Sequence, residues 1–363
     1  MSLNYAEAWS PELLPIKTQE MLSSPFLVPN VKWLGKRTFH FTQMSVSGFK
    51  NHSRAGGWNR GTYTQNDNEF KVEFSRDVEY LVDRADVDET NSTASINNIA
   101  KTLEMTQLAP ETDAYFFSKI AQKAETLTNF HSGTAKGSYE AGNVLTKIKG
   151  FIAKVKKYRR SLIVYVASWV MDLLELSTQL DRKIEMTQVA DGGIGIETRY
   201  TSIDGVPILE CIEDERFYNK FNFSPEGGGF DPIAQVLPVY EDSGDSALKD
   251  GKTYYTQSGT AGAYVYTKVA EPNVTNIADY FELTNTPVEG SKKINVLIAS
   301  TEKVVTVPKI SSIYYFAPGA HTQGDGWLYQ HREDYDTFIF PNGKNNAVDS
   351  IYVDLDTTEY TAE

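Results

Sequence analysis

Apolar and polar residues alternate twice near the start of the chain. In KRTFHFTQMSVSGF the alternation runs through Phe39, Phe41 and Val46, and in EFKVEFSRDVEYLV through Phe70, Val72 and Phe74. A period of two marks a strand with one covered face. Between the two runs lies KNHSRAGGWNRGTYTQNDN, polar and rich in Gly and Asn. The pair therefore predicts a hairpin with a long tip instead of a tight turn. Trp58 and Tyr63 sit on that tip, and loops of this length commonly carry function. Residues 1–32 hold two Pro-flanked segments, SPELLPI and SPFLVPN, without a sustained period. They predict an extended arm that needs a surface to lie against.

From Ser92 the period becomes helical. Ile96, Ile99 and Leu103 share a side, and after Pro110 the pattern resumes with Phe117, Ile120, Ala121 and Ala124. The spacing predicts one long helix over 92–127, kinked or broken once, with Glu111 and Asp113 near a positive helix end. A third helix is expected over about 139–157, with Val144, Leu145, Ile148, Ile152 and Val155 on its apolar face. The basic run KVKKYRR closes it. A solvated helix end is the ordinary role of such a run, and a nucleic-acid patch is the sharper alternative. SLIVYVAS predicts a buried strand and WVMDLLELS a short helix, which together make an α/β subregion. VADGGIGIETRY has β-like flanks and reads as a glycine hairpin, because a phosphate-cradling loop needs a following helix. Residues 234–290 are rich in Tyr, Thr, Gly and Ser and predict a small β-rich insertion. After the buried strand in GSKKINVLIAS, residues 304–355 are mostly strands.

Charge and composition narrow the function. The chain has 363 residues, a net charge of −13 and 40% hydrophobic residues. That suffices for two or three packed units and argues against gripping nucleic acid with the whole surface. The sequence has no 18-residue apolar run, so no membrane span is expected. The start of the chain lacks the basic and apolar regions of a secretory signal, so synthesis in the cytoplasm is the simplest reading. The lone Cys211 excludes an intrachain disulfide and reads as a buried, inert thiol. His321 and His331, with Asp325, Glu333, Asp334 and Asp336 nearby, form a candidate metal site, although surface acids near a hairpin are the commoner arrangement. No metalloprotease, nucleophile-elbow, Walker or complete dinucleotide motif is present, so no enzyme activity, cofactor or metal is expected.

The stretch YLVDRADVDETN clusters Asp83, Asp86, Asp88 and Glu89 before a helix. An EF-hand loop counted from Asp86 would need Gly at position 6 and Glu at position 12, where Asn91 and Asn97 stand. The acids instead suit a helix N-terminus, with Asn91, Ser92 or Thr93 as cap.

This acidic cluster, the helix after it and the PETDAY segment at 110–115 resemble the major capsid proteins of tailed bacteriophages, in particular those of phages of Gram-positive bacteria. GWLYQHREDYDTFIF and DSIYV also look like that family's C-terminal pattern. The resemblance covers about 1–225 and 291–355. It implies an α+β, Hong Kong 97-like capsid fold: an N-terminal arm (1–32), a long E-loop hairpin (33–82), a P domain with the spine helix (83–138), an A domain (139–304) and P-domain return strands with the C-terminus (305–363). The β-rich insertion at 234–290 falls within the A domain and outside the common core.

The resemblance implies self-assembly as hexamers and pentamers into an icosahedral shell enclosing double-stranded DNA without sequence-specific binding. It also implies a separate scaffolding protein, a portal and a place in the virion after assembly in the host cytoplasm. The arm and hairpin are expected to find their cover on neighbouring subunits. Phe49, Trp58, Arg60 and Tyr63 are the expected inter-subunit contacts, with Asp86, Asp88 and Glu89 pairing to basic side chains of the same or a neighbouring subunit. Two alternatives stand beside this: an encapsulin-type cargo shell, which shares the fold, and a β-rich carbohydrate-binding module or carbohydrate-active enzyme suggested by 234–290.

Overall fold

The computed structural model describes residues 20–28, 38–51, 60–83, 96–177, 200–260, 263–324, 326–342 and 347–362. Strand β1 (Thr38–Val46) pairs antiparallel with β2 (Tyr63–Lys71), in register from Thr38↔Lys71 to Val46↔Tyr63. The expected hairpin is present but ends at Lys71. Strand β3 (Phe74–Asp83) enters a different sheet, so the single strand expected across 69–82 is two. Val72, fully buried beside Val305, Val307 and Phe338, marks the point where the chain changes sheet.

The long helix is described from α1 (Ile96–Leu103), through one π-type turn (Glu104–Leu108), to α2 (Ala109–Glu125). Pro110 has no N–H to reach the carbonyl of residue 106, and its ring crowds that carbonyl. A wider turn just before it accommodates both, so the interruption is a π-turn in a continuous helix.

Beyond α2 come β4 (His131–Gly133), α3 (Val144–Lys154), β5 (Leu162–Ala167) and α4 (Ser168–Leu176). Strands β6 (Tyr200–Ile203) and β7 (Val206–Cys211) follow, joined by Asp204 and Gly205 at φ 53° and 80°. Asp-Gly is the pair that a two-residue hairpin turn favours, because both residues must take positive φ. The glycine hairpin expected at Gly192, Gly193 and Gly195 lies outside the described residues. A ribbon of β8 (Phe221–Asn222) and β9 (Asp231–Pro232) leads to the inserted region. There β10 (Tyr240–Asp242), β11 (Tyr255–Thr260), β12 (Ala263–Lys268) and β13 (Tyr280–Leu283) form a separate sheet in the order β10-β13-β11-β12. Tyr254, Ile277 and Tyr280 make its own small core.

The chain ends with β14 (Lys292–Ser300), β15 (Val304–Phe316), β16 (Gly326–Ile339) and β17 (Ile351–Glu359). The strands of 305–355, expected to return to one place, go to two. Strands β15 and β16 join β3 in a three-stranded sheet of order β15-β16-β3. Strand β17 lies beside β14 in the six-stranded sheet β4-β17-β14-β5-β7-β6. Gly326 starts β16 so close to β3 that a Cβ would lie 2.3 Å from the Val82 carbonyl oxygen, which excludes any side chain there. The main core lies on the six-stranded sheet, where Val164, Leu297 and Val353 pack with Phe117 and Ile120 of α2, Ile148 of α3 and Val170 of α4. The architecture is α+β, as the sequence predicts.

One carboxylate pins this sheet to the loop around β4. Asp354 is fully buried and accepts hydrogen bonds from Thr134 Oγ1 (2.7 Å), Tyr139 OH (2.6 Å), Asn295 Nδ2 (2.8 Å) and the Ser132 hydroxyl. Asp354→Ala orphans all four donors and is expected to cost on the order of 3 kcal/mol or more. A lowered urea midpoint with an unchanged slope checks this, and an unchanged midpoint contradicts it.

Candidate assembly surface

Every residue of α2 over 111–118 is buried, and Ala109, Ile120, Ala121 and Ala124 are inaccessible too; α2 meets solvent at Lys119, Gln122 and Lys123. Polar residues within 111–118 have no solvent face and must find partners inside. Glu111, Asp113 and Tyr115 do so in different directions. At 100° per residue, Glu111 and Tyr115 share a face and Asp113 points away from them.

Glu111 accepts from Arg76 of β3 twice, at Nε (2.8 Å) and Nη2 (3.2 Å), and from the Tyr335 hydroxyl of β16 at 2.8 Å. Arg76 also donates to the carbonyls of Phe223 and Gly229, the latter at 3.0 Å. Tyr115 donates to Asp336 of β16 at 2.9 Å, and its ring stacks on Phe74 of β3 with centroids 4.3 Å apart. The three-stranded sheet is thus bolted to α2 just where it leaves the hairpin.

Asp113 faces the arm and the larger sheet. Its carboxylate is fully buried and accepts from Leu22 N (2.9 Å), Ser23 N (2.9 Å), Ser23 Oγ (2.6 Å) and Arg216 Nη1 (2.9 Å). Phe26, also buried, packs on Phe116 at 4.9 Å. The Tyr165 hydroxyl donates to the Leu22 carbonyl, and Val28 N to the Thr306 carbonyl. The expectation that the arm finds no cover within its own chain therefore fails for residues 20–28. Glu111 and Asp113 were expected to serve the helix dipole, and they are instead buried links between units. The missed signal was the apolar residues on either side of the two acids, Ala109 and Pro110 before them and Ala114, Tyr115, Phe116 and Phe117 after.

The hairpin is the opposite case. Its base is held, where Phe70 packs on Phe338 (5.3 Å) and Phe340 (5.1 Å). Among the described residues its two strands have no third strand beside them. Past the strands, Ser47 N donates to the Thr62 carbonyl (2.8 Å), Thr62 N to Ser47 Oγ (2.9 Å) and Lys50 Nζ to the Arg60 carbonyl (3.2 Å). Val46 and Tyr63, directly paired, are each 71% exposed, and Phe49 is completely so. A two-stranded ribbon thus carries Val46, Phe49 and Tyr63 into solvent at the start of its polar tip.

No protein-family model matches the chain, and no curated protein matches it in sequence. Solved structures align with most of it. The mature capsid of bacteriophage PhiM1 shares 12% identity over 89% of this chain and 82% of that chain, with a TM-score of 0.46. The capsid of Cyanophage P-SCSP1u shares 10% identity over 92% and 87%, with a TM-score of 0.48. The holo-SrpI encapsulin complex from Synechococcus elongatus PCC 7942 shares 9% identity over 93% and 87%, with a TM-score of 0.45.

Of the residues singled out in the sequence, Phe49, Arg60 and Tyr63 are exposed on the hairpin tip. Trp58, Asp86, Asp88 and Glu89 lie outside the described residues. His321 and His331 do not form a metal pair. His321 Nε2 lies 2.8 Å from the Gly326 carbonyl, while His331 is buried with Nδ1 3.5 Å from Glu104. Glu333, Asp334 and Asp336 are buried too and are not the surface acids expected. Among the described residues, no group of three His, Cys, Asp or Glu side chains could hold a metal ion. Cys211 is buried with its thiol 3.5 Å from the Glu213 carbonyl, and burial pushes its pKa well up, which suits an inert thiol.

Removing Asp113 leaves the buried Arg216 guanidinium with Glu213 alone, orphans the Leu22 and Ser23 donors and frees the arm. Asp113→Ala is expected to cost about 3–5 kcal/mol and to speed proteolytic cleavage ahead of residue 28. Unchanged stability and cleavage contradict the link. The hydroxyls of Tyr115, Tyr139 and Tyr335 are pushed well above 10.0, chiefly by burial and then by Asp336, Asp354 and Glu111 respectively. These groups favour the fold fully below pH 10, and their contribution is lost as pH rises above it. Ultraviolet titration of phenolate should show a subset of the 21 tyrosines ionising only as the chain unfolds. All of them ionising together in a folded chain contradicts this.

Proposed function

We propose that the protein is the major capsid protein of a tailed bacteriophage, assembling as hexamers and pentamers into an icosahedral shell around double-stranded DNA. The observation that carries this reading is the hairpin. A two-stranded ribbon is marginal alone in water, and the exposed cluster of Val46, Phe49 and Tyr63 at its end supports a contact surface there. Cover supplied by further copies of the chain answers both needs, and repeated contacts of that kind close into symmetric shells. The acidic stretch at 86–91 and the PETDAY segment at 110–115 support the phage capsid over a cargo compartment through their resemblance to phage capsid proteins. On this reading the chain needs a separate scaffolding protein and a portal, assembles in the host cytoplasm and resides in the virion. Asp86, Asp88 and Glu89 stand at the junction of hairpin and spine helix. The fully exposed Phe49 and the largely exposed Tyr63 anchor neighbouring subunits, and Trp58 and Arg60 of the same tip join them.

Electron microscopy of the protein expressed alone and with its neighbouring genes tests the reading. Closed shells or capsomers are expected; protein cargo inside them favours the cargo compartment, and a persistent monomer defeats both. Phe49→Ser with Tyr63→Ser is expected to leave subunit stability within about 0.5 kcal/mol, as exposed substitutions do, while the yield of closed particles falls sharply. Particles at the unsubstituted yield contradict the anchor role.

A further inference from the structure

The segment from Lys136 to Arg160 carries eight Lys and Arg residues and one acid, Glu140, within a chain of net charge −13. It comprises α3 and the 3₁₀ turns on either side. The buried face of α3, through Val144, Leu145, Ile148 and Ile152, fixes its orientation and turns the cations outward.

Half of these cations are already engaged. Lys136 lies over the Trp169 ring and Lys147 over Tyr139, while Lys157 pairs with Asp349 (3.1 Å) and Arg159 with Asp204 (3.5 Å). The other four, Lys149, Lys154, Lys156 and Arg160, are exposed and make no ion pair among the described residues. Lys154 alone stands in the last turn of α3, so the helix dipole explains one of the four.

The patch is unlike a protein-binding surface. No large apolar side chain between residues 136 and 160 is exposed, whereas protein interfaces bury aromatic or aliphatic anchors and are depleted in Lys. A phosphate backbone needs no apolar anchor and is recognised by charge alone. We infer that this patch binds the phosphate backbone of double-stranded DNA without regard to sequence. The inference rests on the shell reading only for where that DNA comes from; the binding itself does not require assembly.

Fluorescence anisotropy with a labelled duplex of mixed sequence tests it on the full chain. Four phosphate contacts predict a slope of log K against log salt of about −3.6, so affinity should fall on the order of 10²-fold between about 50 and 200 mM salt. The variant K149Q/K154Q/K156Q/R160Q should lose most of the affinity and flatten the slope, with an unchanged melting temperature. Absence of duplex binding, equal binding by the variant, or preference for polyglutamate over the duplex overturns the inference; the last would assign the patch to an acidic protein. Particle formation, scored separately by microscopy, keeps the two readings apart. A variant that assembles but no longer binds the duplex supports both, and a chain that binds the duplex yet never assembles sinks only the shell.

Discussion

A helix segment with no solvent face cannot leave a carboxylate alone, and the described fold is organised around that constraint on residues 111–118 of α2. Buried charge is tolerated only with a partner and further hydrogen bonds. Glu111 and Asp113 on α2 therefore each demand donors, and the donors come from distant parts of the chain. Arg76 and Tyr335 bring the three-stranded sheet; Ser23 and Arg216 bring the arm and the loop after β7. With Tyr115 on Asp336, one short stretch of helix fixes the arm, the β3–β16 pair and the larger sheet to one another.

The hairpin begins immediately outside this arrangement, and the contrast has a functional meaning. Val72 and Phe74 are held by the core, and Phe70 rests on Phe338 and Phe340 at the base of the hairpin. Beyond Phe70, the backbone of the described ribbon pairs only with itself. A protein evolved to stay monomeric would shorten such a ribbon or cover its tip with charge. Here Val46, Phe49 and Tyr63 stand in solvent instead. A rigid hub and a long, weakly self-sufficient projection fit a subunit whose fold is completed by its neighbours, so that assembly and local folding are linked.

Local periodicity made much of this legible. Alternation marked β1 and β2, a 3.6 period marked α1, α2 and α3, and a continuous apolar run marked β5. Long-range choices were not legible. Phe70, Val72 and Phe74 keep an unbroken alternation across the point where the chain changes sheet, so nothing local separates β2 from β3. The pattern of β17 resembles that of β15 and β16, yet its partner is β14, because pairing is decided by the core it joins. For the candidate surface, exposure at Phe49 and Tyr63 followed from a polar, glycine-rich tip. The buried roles of Glu111 and Asp113 were hidden by treating them as helix-end charges; the apolar residues all round them held the better signal. The buried state of Glu333, Asp334 and Asp336 was hidden likewise, since an acidic run on a strand ordinarily reads as surface.

The central claim, that the hairpin is completed by neighbouring subunits, is tested most directly by amide hydrogen exchange on dispersed subunits and on assembled particles. Amides of 38–46 and 63–71 should exchange rapidly in the dispersed chain and become strongly protected in particles, while those of α2 and the six-stranded sheet stay protected in both. Full protection of the hairpin in the dispersed chain, or none in particles, would contradict the claim.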